Sequence, residues 1–497
     1  MLTTLAVIKA LILRAARRAS SPFIEVAEVA RIVLGVIRLA KISCSGQDTA
    51  CASHGTAPMI DSMEAAIRYI FQTRRRLDKS PRALDEYTRD TAPTLRLLAR
   101  TGLPAQQRDT IVVTGSRGKG SVSAITAKLL SAMGRRAGTI TSPHLVHWNE
   151  RIRVAGRMIP SQDFLRILRA LQPHIDAEIA RLAAGQYLSP QGIFLAIALR
   201  YFDEQHVDVA VLEVGRGGRF DDIAVVPNQL ALFTPIMLEH TALLGESLAR
   251  IAWHKAGIIN AGGDAISLPQ ADEAAAQLRK EAARQNARLV VLREDDLAEF
   301  VARRANGQLI RLPAYGELVL PLLGRYQLAN ATLAIRAAEC FGLDETALRR
   351  GLAAVQWPGR AQQLDESPRV IIDGAITPTS ARSFVQSLES LPAPVVSIVG
   401  VPRDRDYSGV YKAMAAVSNA LVITETDINP STRFPARADA LRAARHACDD
   451  VHYAANLPAA FALARSLAGA SGTILLAGSL MLIGECMLLW DIDTTVI

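Results

Sequence analysis

The sequence predicts an α/β protein built from two domains, each with a parallel sheet. Apolar runs typical of buried strands, such as Thr110–Thr114, alternate with helical patterns such as Ser121–Met133, and this alternation indicates βαβ units. A second alternating block follows the turn signal Trp357-Pro358-Gly359. The pattern therefore predicts a central domain over residues 61–356 and a smaller C-terminal domain over residues 357–497.

The predicted strands fall into the same two blocks. After Thr110–Thr114, the central block contains Ala137–Thr141, Val207–Glu213, Leu230–Thr234 and Leu289–Leu292. The C-terminal block contains Val370–Asp373, Val395–Val399, Ala420–Thr424 and Thr473–Ala477. A second clear helical pattern, Ser247–Gly257, lies between strands of the central block.

Composition excludes several functional classes. Half of the 497 residues are hydrophobic and 21% are charged, which excludes a disordered chain. Aromatic residues make up only 5% of the chain, which argues against a protein that stacks nucleic-acid bases on many rings. The five cysteines are odd in number and sparse, so we expect a reducing, cytoplasmic compartment and no disulfide framework.

Residues 1–60 form a predicted N-terminal extension. It carries seven lysines and arginines against three acidic residues, which is half of the chain's net charge of +8. Its apolar run Leu2–Leu13 is too short to span a bilayer, and no transmembrane segment is predicted elsewhere. The stretch Phe23–Leu39 is compatible with an amphipathic helix for a membrane or a partner. The interpretation we favour is a poorly ordered extension ahead of Met59 or Met63.

A phosphate-binding loop follows the first predicted strand. Its residues are Gly115, Ser116, Arg117, Gly118, Lys119, Gly120 and Ser121, and a helix comes next. Glycines let backbone N–H groups approach phosphate oxygens, and the helix N-terminus adds its positive dipole end. Lys119 would supply a charge for the β- and γ-phosphates, and Ser121 lies near the position expected for a metal. We therefore predict ATP as a cofactor.

The loop and the motifs that follow it resemble those of the folylpolyglutamate synthase/dihydrofolate synthase family, within the Mur ligase superfamily. The motifs are Thr141-Ser142-Pro143-His144-Leu145, Asn149-Glu150-Arg151-Ile152-Arg153, Val211-Leu212-Glu213-Val214-Gly215, Gly217-Gly218-Arg219, Leu238-Glu239-His240-Thr241, His254-Lys255-Ala256-Gly257-Ile258-Ile259, Gly324-Arg325-Tyr326-Gln327, Pro358-Gly359-Arg360 and Asp373-Gly374-Ala375. The resemblance covers most of residues 63–490. It implies a Mur-ligase-like P-loop ATPase domain with a parallel sheet and a smaller Rossmann-like α/β C-terminal domain.

The resemblance also implies an activity and a metal site. A carboxylate would take the γ-phosphoryl group of ATP, and the amine of an amino acid, with glutamate as one candidate, would attack the resulting acyl phosphate. Ser142, Glu213 and His240 would hold Mg²⁺. A carbamylated Lys255 would help to hold a second Mg²⁺, and the catalytic residues would be Lys119, His240 and Lys255. From the residues alone, burial in an apolar helix end would lower the pKa of Lys255 and leave its amine nucleophilic.

The C-terminal block is expected to form the other side of a cleft. By resemblance, Arg360 and Asp373 contact ATP across the gap, and Gln327 and Asn330 lie near the nucleotide. The expected partners are a small-molecule carboxylate and an amino acid, with no nucleic acid, and the protein is expected to be a monomer.

Structural interpretations of the same residues stay open. Glu213 could be a carboxylate at a strand end that accepts nearby N–H groups. Lys255 could be a solvated cation at a helix end, where it would interact well with the helix dipole. Arg360 could be a surface arginine in a turn.

Several segments depart from the family pattern, among them the stretch Leu84–Arg100 before the phosphate loop. The family's Asp-Gly-Ala-His-Asn-Pro is here Asp373-Gly374-Ala375-Ile376-Thr377-Pro378, and its Thr-x-Phe-Glu is Ser189-Pro190-Gln191-Gly192. Gly217–Ala224 and Leu238-Glu239-His240 also differ from it. Three functions therefore stay open: a folate-type ligase, the same chemistry on another carboxylic acid in a specialised pathway, and a non-catalytic nucleotide-binding protein. Loss of polar groups that bind a substrate favours the second over the first.

Overall fold

The computed structural model describes residues 59–75, 83–304, 307–388, 390–426, 428 and 432–497. The predicted N-terminal extension lies outside these residues, apart from Met59 and Ile60. Within the described ranges, no helix is long and apolar enough to cross a membrane.

Eight strands form the main sheet of the central domain. They are β1 (Asp109–Thr114), β2 (Ala137–Ile140), β3 (Ile152–Val154), β4 (Arg157–Met158), β5 (Val209–Glu213), β6 (Leu230–Phe233), β7 (Asp264–Ser267) and β8 (Arg288–Val291). The strand order is β4-β3-β2-β5-β1-β6-β7-β8. The six strands from β2 to β8 in that order are parallel, whereas β3 and β4 add an antiparallel edge.

Helices surround this sheet. They are α1 (Met63–Ile70), α2 (Gln72–Arg75), α3 (Asp85–Thr88), α4 (Ala92–Thr101), α5 (Lys119–Ala132), α6 (Ser161–Ile179), α7 (Pro190–Glu204), α8 (Thr241–Leu244), α9 (Leu248–Ala256), α10 (Asp272–Arg284), α11 (Tyr326–Glu339) and α12 (Glu345–Ala353). Successive residues of β1 point into opposite cores: Val112 joins one apolar cluster, and Ile111 and Val113 join the other. A parallel strand must be apolar on both faces for this reason, and the sequence of β1 meets that requirement.

The C-terminal domain has its own six-stranded sheet. Its strands are β12 (Gln362–Glu366), β13 (Arg369–Asp373), β14 (Val395–Gly400), β15 (Ala420–Ile423), β16 (Val451–Tyr453) and β17 (Thr473–Gly478). Its helices are α13 (Pro378–Gln386), α14 (Tyr407–Ala415), α15 (Arg437–Arg445), α16 (Leu457–Ala468) and α17 (Leu480–Leu489). The order is β12-β13-β17-β14-β15-β16, and every pair except β12 with β13 is parallel.

The structure confirms the α/β class and the nine predicted strands, whose ends move by one or two residues. It adds a three-stranded antiparallel sheet of β9 (Glu299–Arg304), β10 (Gly307–Leu312) and β11 (Gly316–Leu320), which the sequence reading missed. These strands carry arginines and glutamates between their apolar residues, so they lack the continuous apolar runs that marked the others. The division at residues 356 and 357 stays a prediction. It lies between α12 and β12.

The last described residues return to the central domain. Met158 N–H donates to the Thr495 carbonyl at 2.9 Å, and Ile497 N–H donates to the Gly156 carbonyl at 3.1 Å. The hydroxyl of Thr494 donates to Glu150 Oε1 at 2.8 Å. Glu150 also accepts three successive backbone N–H groups from residues 145–147. Thr494 therefore helps to hold Glu150, and through it residues 145–147, in place.

Candidate active site

The site is built where parallel strands end. Thr114 at the end of β1 is in register with Phe233 at the end of β6, and Val113 is in register with Glu213 at the end of β5. The segments that follow β1, β2, β5 and β6 therefore leave the sheet at one edge. In open α/β sheets this carboxyl edge is where ligands bind, and these segments carry the predicted phosphate loop and metal ligands.

The phosphate loop is closely packed. Gly115 has φ +140°, and a Cβ there would lie 1.8 Å from Thr234 Oγ1. Gly118 has φ +86°, and a Cβ there would lie 2.3 Å from Asn330 Oδ1. Only glycine meets both requirements of space and backbone conformation. Lys119 begins α5, and its Nζ donates to the Gly115 carbonyl at 3.0 Å, across the mouth of the loop.

Helix α11 packs against the phosphate loop. Gln327 Nε2 donates to Ser121 Oγ at 3.3 Å, and Asn330 Nδ2 donates to Gln327 Oε1 at 2.9 Å. Both side chains are buried. The structure thus places the two predicted residues against the phosphate loop, although their contact with a nucleotide stays a prediction.

Ser142 and Glu213 are brought together after β2 and β5. Ser142 N–H donates to Glu213 Oε2 at 2.9 Å, and Glu213 is only 4% exposed. Burial raises the pKa of this carboxyl, while the cations of Lys119, Arg360 and Arg151 act in the opposite direction. A carboxylate and a serine hydroxyl are oxygen ligands of the kind that Mg²⁺ prefers, so the chemistry of these two residues fits the metal.

His240 lies in the segment that follows β6. It takes the left-handed backbone conformation, with φ +49°, immediately before α8. Burial lowers the pKa of its imidazole to about 4. The ring is therefore neutral at pH 7 and has a lone pair for a metal. Within the described residues, no group of three or more His, Cys, Asp and Glu side chains is placed to hold a metal ion, and the role of His240 as a metal ligand stays a prediction.

Lys255 is a buried cation that approaches the phosphate loop. It is 1% exposed, and its Nζ donates to the Gly115 carbonyl at 2.8 Å and to Glu239 Oε1 at 3.1 Å. Burial lowers the pKa of the amine to about 8. The alternative of a solvated cation at the end of α9 is therefore wrong. Glu239, which sequence analysis treated only as a departure from the family, is the partner of Lys255.

Arg360 and Asp373 lie at the start of the C-terminal domain. Asp373 Oδ2 accepts from the Tyr326 hydroxyl at 2.6 Å and from Ala361 N–H at 2.8 Å. The second bond holds the backbone next to Arg360, whose side chain is half-buried within the turn, and its contact with ATP stays a prediction. Tyr326 was not predicted as a site residue. Its position one residue before Gln327 at the start of α11 was the available signal.

A network of ion pairs lies beside the Gly217-Gly218 turn. Arg216 binds Asp85 through two hydrogen bonds of 2.9 and 2.7 Å. Arg89 contacts Asp221 at 3.3 Å and Asp222 at 3.4 Å. These pairs attach the segment around α3 to the loop after β5, and sequence reasoning missed them because their members are far apart in the chain.

Comparison with known families agrees with this architecture. Residues 173–338 match the Mur ligase middle domain, and residues 359–480 match the Mur ligase glutamate ligase domain. The dihydrofolate synthase/folylpolyglutamate synthase of Mycobacterium tuberculosis is 34% identical over 401 residues, which cover 75% of this chain and 81% of the relative. The enzyme of the same name from Bacillus subtilis is 31% identical over 347 residues, covering 67% and 80%.

Solved structures give the same result. The folylpolyglutamate synthase of Mycobacterium tuberculosis, solved in complex with ADP and AMPPCP, has a TM-score of 0.76 at 29% identity. The match covers 86% of this chain and 99% of that one. The folylpolyglutamate synthase of Thermotoga maritima has a TM-score of 0.72 at 25% identity, covering 86% of this chain and 96% of that one.

Proposed function

Because the chain belongs to the dihydrofolate synthase/folylpolyglutamate synthase family of ATP-dependent, ADP-forming ligases, we propose that it joins glutamate to the carboxylate of a folate-type acid. The folate-type acid and the glutamate are those of the relatives, which are dihydrofolate and folylpolyglutamate synthases. The roles of individual residues follow from the geometry of the site.

One observation supports the proposal most strongly. The carbonyl oxygen of Gly115 accepts hydrogen bonds from Lys119 Nζ at 3.0 Å and from Lys255 Nζ at 2.8 Å. The first lysine belongs to the phosphate loop and the second to the expected second metal site. The predicted phosphate-binding lysine and the predicted metal-site lysine therefore meet at one atom of the loop, and this supports a site that concentrates positive charge where a phosphoryl group would be transferred.

The chemistry proceeds in two steps. An oxygen of the acid attacks the γ-phosphorus of ATP, the bond to the β-phosphate oxygen breaks, and ADP leaves. The neutral amine of the amino acid then attacks the carbonyl carbon of the acyl phosphate, the C–O bond to the phosphate breaks, and the nitrogen loses one proton to solvent as the amide forms. Lys119 and the backbone N–H groups of the loop hold the phosphates. Since little covalent chemistry falls to the protein, positioning and charge neutralisation are its main contributions.

Mg²⁺ would be held by Ser142, Glu213 and His240. When bound, it would neutralise charge on the transferring phosphoryl group. A second ion would bind through a carbamate on Lys255. Carbamate formation needs a neutral amine to attack CO2, and the lowered pKa of Lys255 raises the neutral fraction of its amine near neutral pH.

The test is a substrate screen. Purified protein would receive ATP, Mg²⁺, one acid and each amino acid in turn, with ADP and amide product both measured. We expect turnover with dihydropteroate or tetrahydrofolate and glutamate. Turnover with another acid but with neither pterin would reject the folate assignment, and an absence of turnover with every acid would favour a non-catalytic nucleotide-binding protein.

A second candidate is ligation of a non-folate acid, and one observation favours it. Gly192 stands where the family's Thr-x-Phe-Glu pattern has its glutamate, and a Cβ at Gly192 would lie 2.1 Å from Thr94 Oγ1. Thr94 in turn donates to Asp222 Oδ1 at 2.5 Å. The space for a longer side chain is therefore filled by the segment around α4. A different side-chain arrangement where the acid is expected to bind would select a different acid. The substrate screen described above separates the two candidates.

A further inference from the structure

A side chain of the phosphate loop reaches the C-terminal domain. Arg117 Nη2 donates to Thr377 Oγ1 at 3.0 Å, although the two residues are 260 positions apart in the chain. Arg117 lies between Gly115 and Gly118 of the loop. Thr377 follows β13 and lies immediately before α13. The contact therefore joins the nucleotide-binding edge of one sheet to the corresponding edge of the other.

The surroundings of Arg117 make this contact important for the placement of its guanidinium. Among the described residues, no carboxylate lies within ion-pair distance of it. The pKa of Arg117 is lowered by burial, with Arg405 and Arg360 acting in the same direction and Glu239 and Asp373 acting against it. A half-buried cation that faces two other cations is costly to hold in place unless a specific acceptor fixes it. The Thr377 hydroxyl is the acceptor that the structure provides.

Thr377 is itself held firmly. Its hydroxyl caps α13 by accepting from Ser380 N–H at 3.3 Å, and it contacts Ser380 Oγ at 2.9 Å. Its backbone is four residues beyond Asp373, whose carboxylate fixes the chain next to Arg360. One short stretch, residues 373–377, therefore connects Arg117 of the loop with Arg360 of the interdomain segment.

We propose that Arg117 is a positioning residue for the ligase reaction: by binding Thr377 it holds the phosphate loop in register with the C-terminal domain. The proposal rests on the proposed function, because it assumes that a phosphoryl group carried by the loop must meet groups carried by the other domain. Reacting groups must be aligned to within a fraction of an ångström. A contact between two protein segments serves that alignment without binding the nucleotide more tightly.

The experiment is a double-mutant cycle on turnover. The full-length protein would carry Arg117→Met, Thr377→Val or both, with kcat and the KM for ATP measured from ADP formation. We expect each single change to lower kcat roughly tenfold, as the loss of a hydrogen bond to a charged group allows. The kcat of the double variant should be no lower than that of the less active single variant. Thr377→Ser, which keeps a hydroxyl, should keep most of the activity. The KM for ATP of Thr377→Val should change less than about threefold.

The cycle separates alignment from helix capping. Thr377→Val also removes the cap of α13, but that loss is the same whether residue 117 is arginine or methionine, so it cancels in the cycle. Asn456→Ala is the matched control, because Asn456 caps α16 in the same domain by accepting from Ala459 N–H at 2.9 Å. This control should leave kcat unchanged.

Each other outcome overturns the inference in an identifiable way. If the fold decreases in kcat of the two single variants multiply in the double variant, the two side chains act independently. A raised KM for ATP in Arg117→Met, with Thr377→Val fully active, would make Arg117 a phosphate ligand only. Wild-type protein that forms no ADP with any acid would reject the proposed function and this inference together, whereas an active wild type with independent variants would reject the inference alone.

Discussion

Replacement of Lys255 by methionine changes how the stability of this protein depends on pH. Lys255 is a fully buried cation that contacts the phosphate loop, and methionine has similar length without a charge. The native pKa of Lys255 is lowered by burial to about 8, from an ordinary value of 10.5. Protonation of the amine is therefore about 3 kcal/mol weaker in the native state than in the unfolded chain.

The sign of the effect follows from proton uptake. Between about pH 8 and pH 10.5 the unfolded chain holds a proton on Lys255 that the native state has released, so the free energy of unfolding rises with pH in this window. The buried charge on Lys255 therefore destabilises the protein in full below the native pKa of about 8. It has no effect above the pKa of the unfolded chain. From pH 7 to pH 10, wild type should gain about 2.5 kcal/mol in unfolding free energy relative to Lys255→Met.

The comparison is insensitive to the other consequences of the substitution. Methionine leaves the Gly115 carbonyl and Glu239 with one donor fewer, but that loss does not vary over this pH range. In the wild type the pKa of Glu239 is held below its ordinary value, chiefly by Lys255 against the opposing effect of burial, so Glu239 stays ionised there throughout this range. The difference between wild type and variant therefore reports the titration of Lys255.

Urea unfolding at several pH values between 7 and 10 is the assay, in CO2-free buffer without Mg²⁺ or nucleotide so that no carbamate forms. Lys280→Met is the control, because Lys280 is exposed. The unfolding free energy of this variant should change with pH in the same way as that of the wild type. Parallel curves for Lys255→Met as well would refute the lowered pKa, and with it the physical reason for a carbamate at this position. Lys255→Met should also lack ligase turnover at every pH.

Three further predictions concern the loop and its supports. Lys119→Ala should abolish ADP formation while circular dichroism stays native, and retained turnover would contradict the phosphate-loop assignment. Gly120→Ala should weaken ATP binding at least tenfold, measured by titration calorimetry, because the new Cβ would lie 2.8 Å from the ring of Trp357. Unchanged affinity would show that the ring moves aside freely. Thr494→Val should lower the unfolding free energy by about 1 kcal/mol in urea, since Glu150 loses a buried donor; a stability equal to wild type would mean that the Thr494 bond does not contribute.

Much of the site was predictable because its local signals are strong. Three glycines and a lysine lie within the seven residues of the predicted phosphate loop, and the structure confirms the buried strand before them and the helix after them. The antiparallel sheet β9–β11 and the edge strands β3 and β4 were not predicted, because short strands with mixed polarity have no continuous apolar run.

The partners of the site residues depended on contacts between distant segments. Sequence reasoning selected Lys255 and Asp373 but not Glu239 or Tyr326, the side chains that fix them. It also named Thr377 only as a departure from a family pattern, whereas the structure makes it the acceptor of Arg117. Nothing in the local sequence relates residues 117 and 377.

The sequence by itself determined the α/β class, the phosphate loop and the family, because each depends on residues that are near one another in the chain or on the order of many motifs. The tertiary structure alone decided that Lys119 and Lys255 share the carbonyl of Gly115 and that Arg117 faces the second domain. Parallel strands end at a common edge, so residues far apart in the chain meet there. Which of their atoms come within hydrogen-bonding distance depends on the register of the strands and the packing of the loops between them.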